Sequence, residues 1–192
     1  MNFCSQCGAE VIFKVPAEDN RPRHICIRCD AIYYVNPKIV TGCIVEWEGK
    51  ILLCKRAIEP RYGFWTLPAG FIEIGETTVQ AALRETLEEA NATVDIIDLY
   101  LVINLPYVDQ VYMIYRSRLA KMEFSPGSES LEVKLYKEEE IPWDTLAFPT
   151  IRETLLYYFR DKADGRFLFR TGDIIKENNQ FIFHPGPGVM GV

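Results

Sequence analysis

Glu85, Glu88 and Glu89 recur at i, i+3 and i+4. On a helix turning roughly 100° per residue, that spacing gathers three carboxylates into one arc of about 100°. Like charges at these spacings weaken a helix. The stripe is therefore either a solvated acidic face or a set of oxygen ligands for a hard divalent cation such as Mg²⁺ or Mn²⁺, which also bridges to substrate phosphates. A second set of ligating residues lies at the start of the chain. Cys4-Ser5-Gln6-Cys7 and Cys26-Ile27-Arg28-Cys29 form two pairs separated by eighteen residues. Such pairs can bring four thiolates to the corners of one tetrahedron, the geometry of structural Zn²⁺. Gly8 permits the tight turn that lets backbone amides face the sulfurs. Four thiolate ligands leave no position open for water, so this metal is structural and not catalytic. The alternatives are two disulfides or idle thiols. His24 lies close to the third cysteine, but the two complete pairs make it unnecessary as a ligand. Cys43 and Cys54 stand alone among apolar neighbours and read as small buried hydrophobes.

These residues need elements to position them. Residues 1–35 are polar, cysteine-paired and poor in long apolar runs, and Asn36-Pro37-Lys38 marks a boundary after them. Two β-like runs, Ile39–Trp47 and Lys50–Arg56, joined through Glu48-Gly49, predict a hairpin. The Gly/Pro-punctuated stretch EPRYGFWTLPAG follows, then a helix over about Thr77–Ala90 that carries the glutamates. On that helix Val79, Leu83, Thr86, Leu87 and Ala90 share a different face, which is expected to pack on the sheet. Further strands are expected at Thr93–Leu105, Gln110–Leu119 and Leu131–Tyr136, with a turn-rich loop over 121–130. A second amphipathic helix is expected over about Thr150–Arg160. The Pro/Gly-rich end, HPGPGVMGV, has no core of its own and is expected to be mobile. The domain reading is thus 1–35 as a ribbon, 36–165 as a catalytic domain, and 166–192 as a partly mobile extension. Strands mixed with helices in this order give an α+β fold, a mixed sheet with helices on its faces.

Gly70, Glu76, Arg84, Glu85, Glu88 and Glu89 match six of the seven fixed positions of the Nudix box, G-x5-E-x7-R-E-U-x-E-E-x-G-U, where U is bulky and apolar. The chain resembles the Nudix hydrolase superfamily on this block. It departs at Thr86 and Ala92, which stand at the two apolar positions, and at Asn91, which replaces the closing glycine. Asn is the next-best residue for a left-handed helix cap, and no carboxylate is lost. The resemblance implies an αβα sandwich with Glu85, Glu88 and Glu89 as Mg²⁺ or Mn²⁺ ligands. It implies that Arg84 and Glu76 orient that cluster, and that Gly70 allows close backbone approach. Related enzymes often add a carboxylate from a loop outside the box. Here the segment SPGSESLE offers Glu129 and Glu132, of which Glu129 lies farther into the loop.

The ribbon followed by this box resembles two branches, the NADH pyrophosphatases and the ADP-ribose/FAD pyrophosphatases. The first carries a downstream S-Q-P-W-P-F-P-x-S element, and the corresponding INLPYVDQVYMIY lacks it. Pro106, at about the place seen in ADP-ribose hydrolysing members, favours the second. The resulting order is ADP-ribose or FAD, then NADH, then a nucleoside triphosphate. Phe71 is the leading candidate to stack on a base, ahead of Tyr62, Phe64 and Tyr107. The competing class is a nucleotide-sensing module without turnover, which has no need of all three glutamates.

Bulk properties agree with a small anionic ligand reached through cations. The 192 residues are 48% hydrophobic and 25% charged, with a formal net charge of −6 and a pI near 5.1. That balance repels nucleic acid and anionic membrane, and the ribbon's Lys14, Arg21, Arg23 and Arg28 are offset by nearby acids. No partner nucleic acid or membrane is expected. The ribbon is expected to have a structural or dimer-supporting role, and the chain to be a cytoplasmic homodimer with reduced thiols.

Overall fold

The computed structural model describes residues 1–178 and 180–186. Two units divide the chain, Met1–Pro37 and Lys38–Val192. In the first, strands β1 (Val11–Lys14), β2 (Arg23–Cys26) and β3 (Ile32–Tyr33) form an antiparallel sheet in that order. Its buried cluster consists of Cys4, Ala9, Val11 and Cys26. Two of those four are cysteines, so what this unit has for a core is largely its thiols. A chain of this length with so little apolar burial needs a metal or cross-links to hold it.

The second unit is built on a nine-stranded mixed sheet. Strands β4 (Lys38–Trp47) and β5 (Lys50–Arg56) form the expected hairpin, with Glu46 opposite Ile51 and Trp47 opposite Lys50. Short strands β6 (Trp65–Thr66) and β7 (Ala69–Phe71) pair with β5 and β4, and helix α1 (Thr78–Ala90) follows. Strands β8 (Val94–Leu105), β9 (Gln110–Leu119) and β10 (Ser130–Tyr136) and helix α2 (Pro149–Asp164) come next. The last pair is β11 (Arg170–Glu177) and β12 (Gln180–Pro185). The strand order is β10-β5-β4-β9-β8-β11-β12. The β4–β9 and β8–β11 pairs are parallel and the other neighbours antiparallel.

Both faces of the central strands are buried, and the period of two sorts their side chains. Val40 and Ile44 of β4 and Ile51 and Leu53 of β5 face a core completed by Ile151, Leu155, Tyr158 and Phe159 of α2. Cys43, Val45, Leu52 and Cys54 face the opposite side, where α1 supplies Ala82 and Ala90. One helix therefore covers each face, an αβα sandwich. Cys43 and Cys54 are buried hydrophobes as expected, and burial raises both thiols above their ordinary range.

Helix α1 starts in a reciprocal cap. Thr77 Oγ1 accepts from the Gln80 amide at 3.2 Å, and the Gln80 side chain accepts from the Thr77 amide at 2.8 Å. Its buried residues are Ala81, Ala82, Thr86, Glu89 and Ala90. Val79 and Leu87, expected on the packing face, are 36% and 52% exposed instead. The helix lies close on the sheet, so alanines fill the contact and the longer side chains are displaced to its flanks. Thr86, at a position usually bulky and apolar, is buried because its hydroxyl donates to the Ala82 carbonyl at 2.8 Å.

Two differences from the sequence reading concern the end of the chain. Helix α2 runs to Asp164, a turn past the expected limit, with Pro149 in its first turn and Gly165 as a left-handed cap. Residues 170–185, for which the apolar pattern predicts no element, add two strands to the sheet beside β8. The extra turn and the strands share one contact. Asp161, 2% exposed, accepts from both terminal nitrogens of Arg170 on β11, from Tyr100 Oη at 2.9 Å and from the Leu168 amide at 3.3 Å. Of HPGPGVMGV, residues 187–192 lie outside the described residues, while His184 and Pro185 end β12. Among the described residues, no helix is long and apolar enough to cross a membrane.

Candidate functional site

In the ribbon, the Sγ atoms of Cys4, Cys7, Cys26 and Cys29 all lie within 4.8 Å of one another. The Cys4–Cys29, Cys7–Cys26 and Cys7–Cys29 separations are 3.6, 3.5 and 3.6 Å. A tetrahedral zinc with Zn–S of about 2.3 Å needs sulfurs about 3.8 Å apart, and a disulfide needs about 2.05 Å. The spacing fits the metal, and the cysteines are free. Amides of Gln6, Arg28 and Cys29 point at the sulfurs of Cys4 and Cys26 from 3.4–3.5 Å. The Tyr33 hydroxyl, 3.0 Å from Cys4 Sγ, brings that thiol down to about 6 despite burial. Such donors stabilise thiolates, the form zinc binds. His24 is not in the cluster and its ring packs against Phe13 at 5.0 Å. Purified protein should hold one zinc per chain, and Cys29→Ser should release it while the fold of residues 38–186 persists. Metal analysis with no zinc, together with no titratable thiol at these four positions, would establish disulfides instead.

In the second unit, α1, β7 and the loop between them build one side of a cleft of about 750 Å³. Arg84 is its hub. Nε donates to Glu76 Oε1 at 2.7 Å, Nη1 to Glu85 Oε1 at 2.7 Å and to Glu88 Oε2 at 3.0 Å. Nη2 donates to the Phe71 carbonyl and to Glu76 Oε2, both at 3.0 Å. Every N–H of the guanidinium is thereby engaged. Hydrogen bonds from Arg84, and the Glu73 amide at 3.0 Å, hold the Glu76 carboxyl down to about 2. Glu85 moves the other way, raised by burial against the pull of Arg84.

Glu89 differs from both neighbours. It is 6% exposed, and its Oε2 accepts from the Ala69 amide at 3.2 Å. Burial, reinforced by Glu85 and Glu129, pushes its carboxyl up to about 8. A buried carboxylate with one weak partner calls for a proton or a cation beside it. Gly70 makes room for the cluster: a Cβ there would collide with the Glu85 carboxyl group. The donors are all hard oxygens, the set that suits Mg²⁺ or Mn²⁺.

The loop after β9 closes the far side. The Ser125 amide donates to the Ala90 carbonyl at 2.9 Å, and the Gly127 amide to the Glu89 carbonyl at 3.0 Å. Gly127 lies so close to α1 that a Cβ would strike the Glu88 carbonyl. Asn91 caps the helix with φ 47° and ψ 32°. Its Nδ2 also donates to the Ser125 and Pro126 carbonyls at 3.3 and 3.1 Å. A glycine could supply the cap but not the tether, which gives this departure from the box a structural role.

Of the residues singled out from sequence, Gly70, Phe71, Arg84, Glu85, Glu88, Glu89 and Glu129 line the cleft, with Glu76 behind Arg84. Phe71 is 47% exposed and Lys38 Nζ lies 5.2 Å from its ring centre. Glu132 sits in β10 opposite Lys55 and does not line the cleft, and neither do Tyr62, Phe64 and Tyr107. Tyr107 follows Pro106 in a short 3₁₀ turn and packs on Phe181 at 5.2 Å. Sequence reasoning missed Arg56, Gln110, Tyr112, Ser128 and Phe148, which also line the cleft. Arg56 and Gln110 carry a local signal, each being polar at the end of an apolar strand.

The αβα sandwich and the arginine-centred glutamate cluster along one cleft are the arrangement that the Nudix box implied. The chain belongs to the Nudix family: the Nudix domain model matches residues 36–158, and the Nudix N-terminal model, a zinc ribbon, matches residues 2–35. A crystal structure of a Nudix hydrolase from Nitrosomonas europaea is 55% identical, with a TM-score of 0.88, covering 91% of this chain and 99% of that one. The ADP-ribose pyrophosphatase of Methanocaldococcus jannaschii is 29% identical over 113 residues, 57% of this chain and 67% of that protein. The NAD-capped RNA hydrolase NudC of Photobacterium profundum is 30% identical over 163 residues, 80% of this chain. The chain spans 58% of that relative's length.

Proposed function

We propose that the protein hydrolyses a nucleoside diphosphate derivative, ADP-ribose or FAD first, with Mg²⁺ or Mn²⁺ held by Glu85, Glu88 and Glu89. The observation that carries this reading is Glu89, buried beside Glu85 and Glu129 with a single hydrogen bond among the described residues. A nucleotide sensor gains nothing from such a costly group, whereas a site that loads a cation is completed by it. Bound there, the cation would offset the charge of the pyrophosphate and acidify an attacking water. The protein's own part is positional. Arg84 and Glu76 fix the Glu85 and Glu88 carboxylates, Gly70 admits the Glu85 carboxylate close to the backbone, and Phe71 offers an exposed ring to a base. Glu129, carried on the tethered loop, supplies a further ligand or a base.

The missing dinucleotide element and the name of the Methanocaldococcus relative support ADP-ribose. The Photobacterium relative supports a second reading, in which the substrate is NADH or an NAD-type cap on RNA. The expected result is a kcat/KM for ADP-ribose or FAD at least tenfold above that for NADH and for NAD-capped RNA. A tenfold difference corresponds to about 1.4 kcal/mol of transition-state preference. NADH or capped RNA turning over as well or better would reverse the assignment. The reduced, zinc-ready thiols fit a cytoplasmic protein, and a homodimer is the proposed assembly.

A further inference from the structure

We propose that Arg56 is a substrate-positioning residue that grips the diphosphate, an assignment that rests on the hydrolase reading above. The cleft is an unfavourable place for an anion. Glu59, Glu73, Glu85, Glu88, Glu89 and Glu129 line it, against two guanidinium groups, Arg56 and Arg84. Arg84 has no N–H left to offer, since Glu76, Glu85, Glu88 and the Phe71 carbonyl take them all. Arg56 is in the opposite condition. Its Nε donates to the Pro60 carbonyl at 2.9 Å, and its guanidinium lies 5.2 Å from the centre of the Phe148 ring. Among the described residues, neither terminal nitrogen has an acceptor or an ion-pair partner.

One anchored nitrogen and the neighbouring Phe148 ring hold the guanidinium in place before any ligand arrives. Its open edge then presents parallel N–H groups, the fork that matches two oxygens of a phosphate. Arg56 lines the same cleft as Glu85, Glu88 and Glu89, so the fork and the carboxylate cluster face one space. A diphosphate that meets a cation at Glu85, Glu88 and Glu89 would have its other oxygens within reach of Arg56. The oxygens Arg56 would hold are non-bridging ones, charged before the P–O bond breaks as well as after, so the contact acts on bound substrate and transition state nearly alike. Such uniform binding appears in KM and leaves kcat nearly unchanged.

The test is steady-state hydrolysis of ADP-ribose in saturating Mg²⁺ by wild type, Arg56→Gln and Arg56→Lys, with thermal melting of each. The assignment requires both variants to raise KM at least fivefold while kcat stays within threefold. Lysine keeps the charge but lacks the fork, so it should not rescue. A smaller KM change in either variant, or a loss confined to kcat, overturns the assignment. If Arg56→Gln does not fold, Arg56→Lys alone decides by the same threshold. A wild-type protein that hydrolyses nothing sinks the hydrolase reading by itself. Calorimetric binding of ADP-ribose with Ca²⁺ then still judges Arg56, since affinity equal to wild type in the variants rejects it and a fivefold loss retains it.

Discussion

In saturating Mg²⁺, Glu88→Gln and Glu89→Gln should each lose roughly a hundredfold or more in kcat, because metal catalysis supplies several kcal/mol. Gln preserves size and hydrogen-bonding capacity but removes one negative oxygen ligand. The two substitutions should separate in stability. Glu88 is exposed and tied to Arg84 by an ordinary ion pair at 3.0 Å, so its loss changes little. Glu89 is buried with its carboxyl raised to about 8. An acid whose folded pKa lies above its unfolded value favours folding while protonated, and that advantage disappears as pH rises through the folded pKa. Metal-free wild type is thus burdened by a buried charge at pH 9 and relieved of it at pH 5. Glu89→Gln should raise the metal-free Tm by roughly 5 °C or more at pH 9, with the gap closing toward pH 5. Near-wild-type turnover in both variants would end the ligand assignment, and lost stability with retained turnover would make Glu89 structural.

Asp161→Asn should destabilise the second unit by about 3 kcal/mol, or roughly 6–12 °C in Tm. Asp161 is buried on the last turns of α2, and the substitution leaves the Arg170 guanidinium, 20% exposed, without its counter-charge. That residual exposure sets the estimate at the low end for a broken buried pair. Burial alone would raise the Asp161 carboxyl, but the hydrogen bonds from Arg170, Tyr100 and the Leu168 amide outweigh it and leave it below its ordinary value. A depressed folded pKa contributes stability above the unfolded value, about 3.9, and that contribution is lost as pH falls through the still lower folded pKa. Wild type should therefore lose its advantage over Asp161→Asn as pH drops from about 5 toward 1. Thermal melts at pH 7 and pH 3 check both parts. A difference under 1 kcal/mol at pH 7 rejects the role given to this pair.

What could be read from the sequence follows from how local each feature is. Glu85, Glu88 and Glu89 are ordered by the helix that carries them, and the four cysteines by the geometry their metal demands, so spacing drew notice to both sets, while for the glutamates it left a solvated acidic face as the alternative until the box was matched. The near-continuous β-rich runs of β4 and β5 likewise announced a hairpin. The sequence did not distinguish Glu89 from its neighbours, because its burial depends on the height of α1 above the sheet, set by Ala81 and Ala82. Arg56, Tyr112 and Phe148 come from β5, β9 and the segment before α2, and sheet pairing alone brings them to one cleft. The strands at 170–185 were hidden because RTGDIIKE has little apolar alternation. They are held by β8 and by Asp161, partners about seventy and ten residues away.

Loops on a protein surface commonly gain and lose residues between relatives, since their ends tolerate it. The 121–130 segment cannot vary so freely, because Asn91 and the last carbonyls of α1 fasten it at Ser125, Pro126 and Gly127. Residues added before Ser125 would bulge into solvent and leave the stitch intact. Residues added between Gly127 and Ser130 would carry Glu129 away from Glu85 and Glu89. The tether thus divides one loop into a stretch open to insertion and a short stretch of fixed length, and the acid that faces the cleft belongs to the second.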